Sequence, residues 1–197
     1  YSQIGVQQHA VLRQAVIELL SDSEIKAENE ETSQNDPPWF QGLQNQLEQL
    51  SNDRGNPQRR IAANVLSHIS TVFVFNTFRE GGEKLTWKDM AEADGKVFII
   101  QLKGLEHSLE RVVTEFLLWN LIGFIESIGP GPLKCFAVLD EAHKLAFDAG
   151  SPVEKLLREG RKFGIGLILA SQQPEDFSSV AFSNTATKMI FQVADED

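Results

Sequence analysis

The chain holds 197 residues, 42% hydrophobic and 23% charged, which excludes a collagen-like or wholly disordered protein and suits one sizeable core. Its longest apolar stretch, Leu117 to Ile125, is short and interrupted by Asn120, so no membrane span is expected. The formal net charge of −10 is uneven: residues 22–36 carry −5 and Asp195-Glu196-Asp197 carry −3, and without a dominant basic patch bulk charge argues neither for nor against nucleic acid.

The first half of the chain has helical spacing. Val11, Leu12, Ala15, Val16, Leu19 and Leu20 predict an amphipathic helix over residues 6–20. Residues 21–38 are polar and acidic, end at Pro37-Pro38, and read as a solvated loop. Trp39, Leu43, Leu47 and Leu50 then share one face of a second helix. Asn56-Pro57, an N-cap followed by proline, opens a third helix with Ile61, Val65, Leu66 and Ile69. Val72 to Phe75 continue that helix or form a short strand, and periodicity does not decide between them. Thr86-Trp87-Lys88-Asp89 is a capping-box pattern for a short helix through Ala93.

From residue 95 strands and helices alternate. Val97 to Leu102 predicts a buried strand, and residues 108–128 a long helix closed by Gly129 and Pro130. The aromatics of that helix, Phe116, Trp119 and Phe124, are expected in the core. Cys135 to Leu139 predicts a second buried strand, and Cys135 is expected in the core rather than as a nucleophile. Ser151-Pro152-Val153-Glu154 is a capping box opening a helix to about Lys162, with a third strand at 165–170 and a fourth at 188–193. This alternation predicts an α/β fold with a parallel sheet covered on both faces. The domains expected are a helical insertion over 1–94 and the sheet-bearing part over 95–197.

Ligands of such sheets bind beyond the C-terminal strand ends. The strand at 135–139 runs straight into Asp140 and Glu141. Five apolar residues followed by two carboxylates match the Walker B pattern of nucleotide hydrolases. One carboxylate can hold the water shell of Mg²⁺, and the next can polarise an attacking water. A strand that simply ends in a solvated acidic turn would look the same. The next strand ends in Ser171-Gln172-Gln173-Pro174, where a glutamine can reach a γ-phosphate or orient a water, or can merely form a turn before proline. Arg158 and Arg161 flank Gly160; they can serve as arginine fingers on a neighbour's nucleotide, or can decorate a helix C-terminus. His143 reads as a coupling or packing residue, since one cysteine and four scattered histidines give no metal-ligand spacing. No Gly-x-x-x-x-Gly-Lys-Ser/Thr occurs, and Gly164-Ile165-Gly166 lacks the lysine of a phosphate loop.

Over residues 95–197 the order and spacing of these motifs resemble the C-terminal half of a HerA/FtsK-type ATPase core, a clade similar also to the type IV secretion and conjugation ATPases. The match runs through Val97 to Leu102, Val138-Leu139-Asp140-Glu141-Ala142-His143, Arg158-Glu159-Gly160-Arg161-Lys162-Phe163-Gly164 and Ala170-Ser171-Gln172-Gln173-Pro174, and closes on a strand trailing into Ala194-Asp195. Residues 1–94 match only loosely.

The resemblance implies a RecA-like sheet and an ATP- and Mg²⁺-dependent motor that moves DNA as a hexameric ring. Such a motor could belong to a bacterial defence or restriction system with further subunits. It gives Asp140 the Mg²⁺ shell, Glu141 the catalytic base, Gln172 the γ-phosphate sensor, and Arg161, with Arg158 second, a finger acting in trans. The missing Walker A is the departure. Tyr1 at the start, Met90 and Met189 as the methionines, and an end just past an apolar run suggest a fragment whose phosphate loop lies upstream and which is inactive alone. A single cysteine fits a reducing cytoplasm.

Two other readings stand beside it. Asp140-Glu141-Ala142-His143 spells the box of a superfamily 2 DEAH helicase, whose next strand end should read Ser-Ala-Thr instead of Ser171-Gln172-Gln173. The other is a nucleotide-free structural or partner-binding domain that kept the sheet.

Overall fold

The N-terminal helices form where the apolar spacing places them. In the computed structural model, which describes residues 4–25, 38, 40–74, 86–93 and 95–191, α1 is Val6–Asp22, α2 is Phe40–Asn52 and α3 is Arg59–Val74. Val11, Ala15, Leu47, Ala62 and Val65 are buried together, with Leu12, Leu43, Leu50, Ile61, Leu66 and Ile69 packed against them. Each buried aliphatic side chain removed from water stabilises the packed state by about 2 kcal/mol, and Leu47 is fully inaccessible. The third helix starts at Arg59, two residues after Pro57, and Asn56 holds the turn before it: its Oδ1 accepts from the Gln58 N–H at 2.8 Å, and its carbonyl from the Arg59 N–H at 3.2 Å. The helical alternative for residues 72–74 is the one adopted. Most of the acidic loop, Trp39 and Phe75 lie outside the described residues.

The chain divides into two compact units, residues 1–83 and 84–197. The second opens with α4, Trp87–Glu92, whose capping box closes in both directions. Thr86 Oγ1 accepts from the Asp89 N–H at 3.1 Å, and the Asp89 carboxylate accepts from the Thr86 N–H at 3.1 Å. The bond from the Thr86 hydroxyl holds the Asp89 carboxyl below its ordinary range. The long helix α5, His107–Ile128, stops at Gly129, whose φ of 76° suits glycine alone and whose N–H still reaches the Ile125 carbonyl at 3.2 Å.

Among the described residues two strands form, β1 at Cys135–Leu139 and β2 at Ile165–Leu169, paired in parallel with Cys135 opposite Ile165 and Leu139 opposite Leu169. The helix α6, Pro152–Glu159, crosses between them, and α7, Ser179–Asn184, follows β2. This is a mixed α/β fold with an open parallel sheet, as expected of a RecA-like core. Leu118, Leu121, Ile122, Ile125, Val153, Leu156, Phe163 and Ile165 form the buried cluster, with Cys135, Ala137, Leu139, Leu167 and Leu169 packed against it.

Several expectations are corrected. Residues 97–102 form no strand: Val97 is 86% and Ile99 87% exposed. Nor do residues 188–191, with Ile190 78% exposed; the rest of that run, with Ala194 and Asp195, lies outside the described residues. Apolar composition marks what could sit in a buried sheet, but a strand exists only where a neighbour completes its ladder. The sheet is covered on one face. Phe136, Val138 and Ile168 point to the other and are exposed among the described residues. Phe124 packs against the core, whereas Phe116 and Trp119 lie largely exposed because the inward stripe of α5 runs through Leu118, Leu121, Ile122 and Ile125.

The helix expected to reach Lys162 ends at Glu159 and tightens into a 3₁₀ turn over Gly160–Phe163. Its capping box forms only in one direction. Ser151 Oγ accepts from the Glu154 N–H at 3.2 Å, but the Ser151 N–H is already taken by the Asp148 carbonyl at 2.9 Å. The Glu154 carboxylate turns instead to the Gly150 N–H, at 3.0 Å, and to Arg158. The Gly150 bond is the main reason its carboxyl lies below the ordinary range.

Candidate functional site

The parallel register carries the chemistry. Because Leu139 lies opposite Leu169, the residues that follow the two strands emerge side by side. Hydrogen bonding continues past the strand ends: the Ala170 N–H donates to the Leu139 carbonyl at 3.0 Å, and the Ala142 N–H to the Ala170 carbonyl at 2.8 Å. Asp140 and Glu141 on one loop therefore face Ser171 and Gln172 on the other.

Asp140 is exposed, and its Oδ1 accepts from the Glu141 N–H at 2.9 Å, which fixes the carboxylate at the strand tip. Glu141 adopts left-handed backbone, φ 53° and ψ 47°, and its side chain is 40% exposed. That turn swings Glu141 off the strand direction and starts a short 3₁₀ turn at Ala142–Lys144, with Ala142 fully buried beneath it. Gln172 Nε2 reaches Glu141 Oε1 at 3.5 Å. On its other oxygen Glu141 meets His143 Nε2, also at 3.5 Å. His143 Nδ1 lies 3.4 Å from Ser171 Oγ, and Ser171 Oγ donates to Asp176 Oδ2 at 2.5 Å. Asp176 also accepts from the Gln173 N–H at 3.2 Å. Lys144 Nζ bridges to both oxygens of Glu110 at 3.3 Å and ties this loop to α5.

The structure thus brings Asp140, Glu141 and Gln172 together. It places Arg158 and Arg161 elsewhere. They stand at the end of α6 and in the 3₁₀ turn before β2, at the opposite end of the sheet, about 16 Å away by strand rise. Arg158 is engaged by Glu154, and Arg161 is exposed. Cys135 is half-buried, and burial pushes its thiol above the ordinary range, which disfavours a nucleophilic thiolate.

Gly164 and Gly166 serve packing. Gly164 has φ 82°, and a β-carbon there would fall 2.1 Å from the Pro132 carbonyl oxygen. Gly166 lies under the Phe136 ring, where a β-carbon would come within 2.4 Å. Neither forms an anion cradle. The donor set at the strand ends suits Mg²⁺, a hard cation held through one or two carboxylates and its own waters. Asp140, an exposed carboxylate at the strand tip, is the residue that could hold it. Among the described residues no cluster of three metal-ligating side chains occurs. No helix among them is long and apolar enough to cross a membrane.

The links through His143, Ser171 and Asp176 were not foreseeable as a set. The acidic Walker B pattern was visible in the sequence, but which side chains meet across the two loops depends on the register.

No family model matches the chain. Among curated proteins it is similar to the DNA double-strand break repair helicase HerA of Saccharolobus solfataricus, with 28% identity over 94% of this chain. It is also similar to HerA helicases of Sulfurisphaera tokodaii, 31% identical, and Sulfolobus acidocaldarius, 29% identical, each over 51% of this chain. The chain spans 39% of the length of the first relative and 22% of each of the other two. With the strand-end residues in the same order as the motifs that carry the resemblance, these matches relate the chain to the HerA-like P-loop ATPases.

Proposed function

We propose that this chain is part of an ATP-hydrolysing motor that acts on DNA, and that it supplies the Walker B end of the nucleotide site. The observation that carries this reading is the meeting of Asp140, Glu141 and Gln172 at adjacent ends of two parallel strands, in a chain related to HerA. The similarity to HerA favours it over a DEAH-box helicase.

In this reading Glu141 takes a proton from the water that attacks the γ-phosphorus, and Gln172 orients that water or the γ-phosphate. Asp140 holds the hydration shell of Mg²⁺, which when bound offsets charge on the phosphate oxygens. The amide cradle and lysine of a phosphate loop are absent from the sequence, so the cradle comes from elsewhere in the working protein, and this chain alone hydrolyses ATP poorly. Arg161, with Arg158 as the second candidate, stands too far from Glu141 in its own chain to touch the same phosphate. It acts on the nucleotide of a neighbouring subunit in a ring, with six subunits the expected number. A cytoplasmic setting, in a defence or restriction system with further subunits, fits the lone cysteine and this resemblance.

One complementation experiment in the full-length protein tests both halves. Glu141→Gln is expected to keep ATP binding and lose hydrolysis by about 10²- to 10⁴-fold, the usual range for a lost general base. Arg161→Ala is expected to lose hydrolysis as well. Mixing the two inactive proteins restores activity, because some interfaces then pair an intact Glu141 with an intact Arg161. Near-normal turnover by Glu141→Gln removes it from the role, and a mixture that stays inactive rules out an arginine acting in trans.

A further inference from the structure

We propose that His143 is a positioning residue for Glu141, held in turn by Ser171 and Asp176; the inference rests on the reading of Glu141 as the general base. The hydroxyl hydrogen of Ser171 goes to Asp176 at 2.5 Å, so Ser171 offers His143 only lone pairs. His143 Nδ1, 3.4 Å away, therefore donates to Ser171. That contact sets the plane of the imidazole; with a hydrogen on Nε2 as well as on Nδ1, the ring donates from its other edge to Glu141 Oε2 at 3.5 Å. The other oxygen of Glu141 faces Gln172. The carboxylate is thus bracketed by one side chain from each loop, and the imidazole is anchored to the loop after β2 and not only to its own.

Such bracketing is needed here. Glu141 is 40% exposed, and no core packing fixes its rotamer. Its left-handed backbone aims the side chain, but the χ angles beyond remain open. At 3.4–3.5 Å these contacts are of the length that catalytic hydrogen bonds often have before the reacting group tightens them. Asp176 is itself fixed by the Gln173 N–H, so the relay ends on backbone. The two loops also share the Ala142–Ala170 hydrogen bond, which keeps their spacing constant while the side chains adjust.

The test is steady-state ATP hydrolysis and ATP binding by variants of the full-length protein. His143→Ala is expected to lower kcat about tenfold, as loss of an orienting partner does. It should leave the KM for ATP within about twofold and ATP binding unchanged, because the lost contact matters only in the chemical step. His143→Phe, which restores bulk without a donor, should be as slow as His143→Ala. His143→Gln, whose amide can still donate to the carboxylate, should recover part of the rate. In a Glu141→Gln background His143→Ala should slow the enzyme no further, since a residue acting through Glu141 has nothing left to position.

Ser171→Ala removes only a hydroxyl, and should show a smaller loss of the same kind; it decides the matter if the His143 variants do not fold. Normal kcat in His143→Ala, or a further loss on top of Glu141→Gln, overturns the positioning role while Glu141 keeps its own. Normal hydrolysis by Glu141→Gln alone overturns the underlying reading, and the inference with it.

Discussion

The two units of the chain satisfy their apolar residues in different ways. In residues 1–83, the helices α1 to α3 bury Val11, Ala15, Leu47, Ala62 and Val65 against one another. In residues 84–197 one face of the sheet is packed against helices, yet Phe136, Val138 and Ile168 on the other face, and Val97, Ile99 and Ile190 beside it in sequence order, are left exposed. A helix completes its backbone hydrogen bonds within itself, so three amphipathic helices can close a core unaided. A parallel strand needs neighbours on both edges and cover on both faces, and two strands supply little of either. Among the described residues the first unit buries its helical cluster but leaves Val6 and Ile17 exposed, whereas the second leaves one face of its sheet uncovered.

Leu47 is fully buried, and Leu47→Ala is expected to cost about 3 kcal/mol in denaturant unfolding, through lost burial and the cavity left behind. A loss below about 1 kcal/mol would mean that this core is loosely packed. In the second unit the corresponding weak point is backbone. Gly164→Ala combines left-handed φ with a β-carbon 2.1 Å from the Pro132 oxygen, and should cost at least about 2 kcal/mol by thermal or chemical melting. An unchanged midpoint would show that the 3₁₀ turn relaxes freely. The smallest effect is the most instructive. Val138 is 62% exposed, so Val138→Thr should change stability by less than about 0.5 kcal/mol in this chain. A loss of well over 1 kcal/mol in the full-length protein, measured side by side, would show that the open face is covered there.

Legibility followed the same division. The helices α1, α2, α3, α4 and α5 were readable because period and caps are local: Thr86 and Gly129 do in the structure what their positions suggest, while α3 begins two residues later than Asn56-Pro57 suggests. The strands β1 and β2 were readable as short apolar runs, and they paired. Residues 97–102 carry the same composition and remain unpaired, which no local pattern could reveal. Asp140 and Glu141 were legible as candidates from their place directly after an apolar run, and Gln172 from its place near the end of the next. The left-handed turn at Glu141 was not, because glutamate carries no signal for positive φ. The His143–Ser171 link was not either, since it joins residues 28 positions apart and depends on the register that sets Leu139 opposite Leu169.

The conformation of Glu141 has a consequence for engineering. Left-handed backbone costs a residue with a β-carbon about 1 kcal/mol relative to glycine. A redesign that scored folding alone would therefore place glycine at position 141. It would gain stability there and delete the carboxylate that the loop holds out to solvent. Stability screens and activity screens should thus disagree at this position.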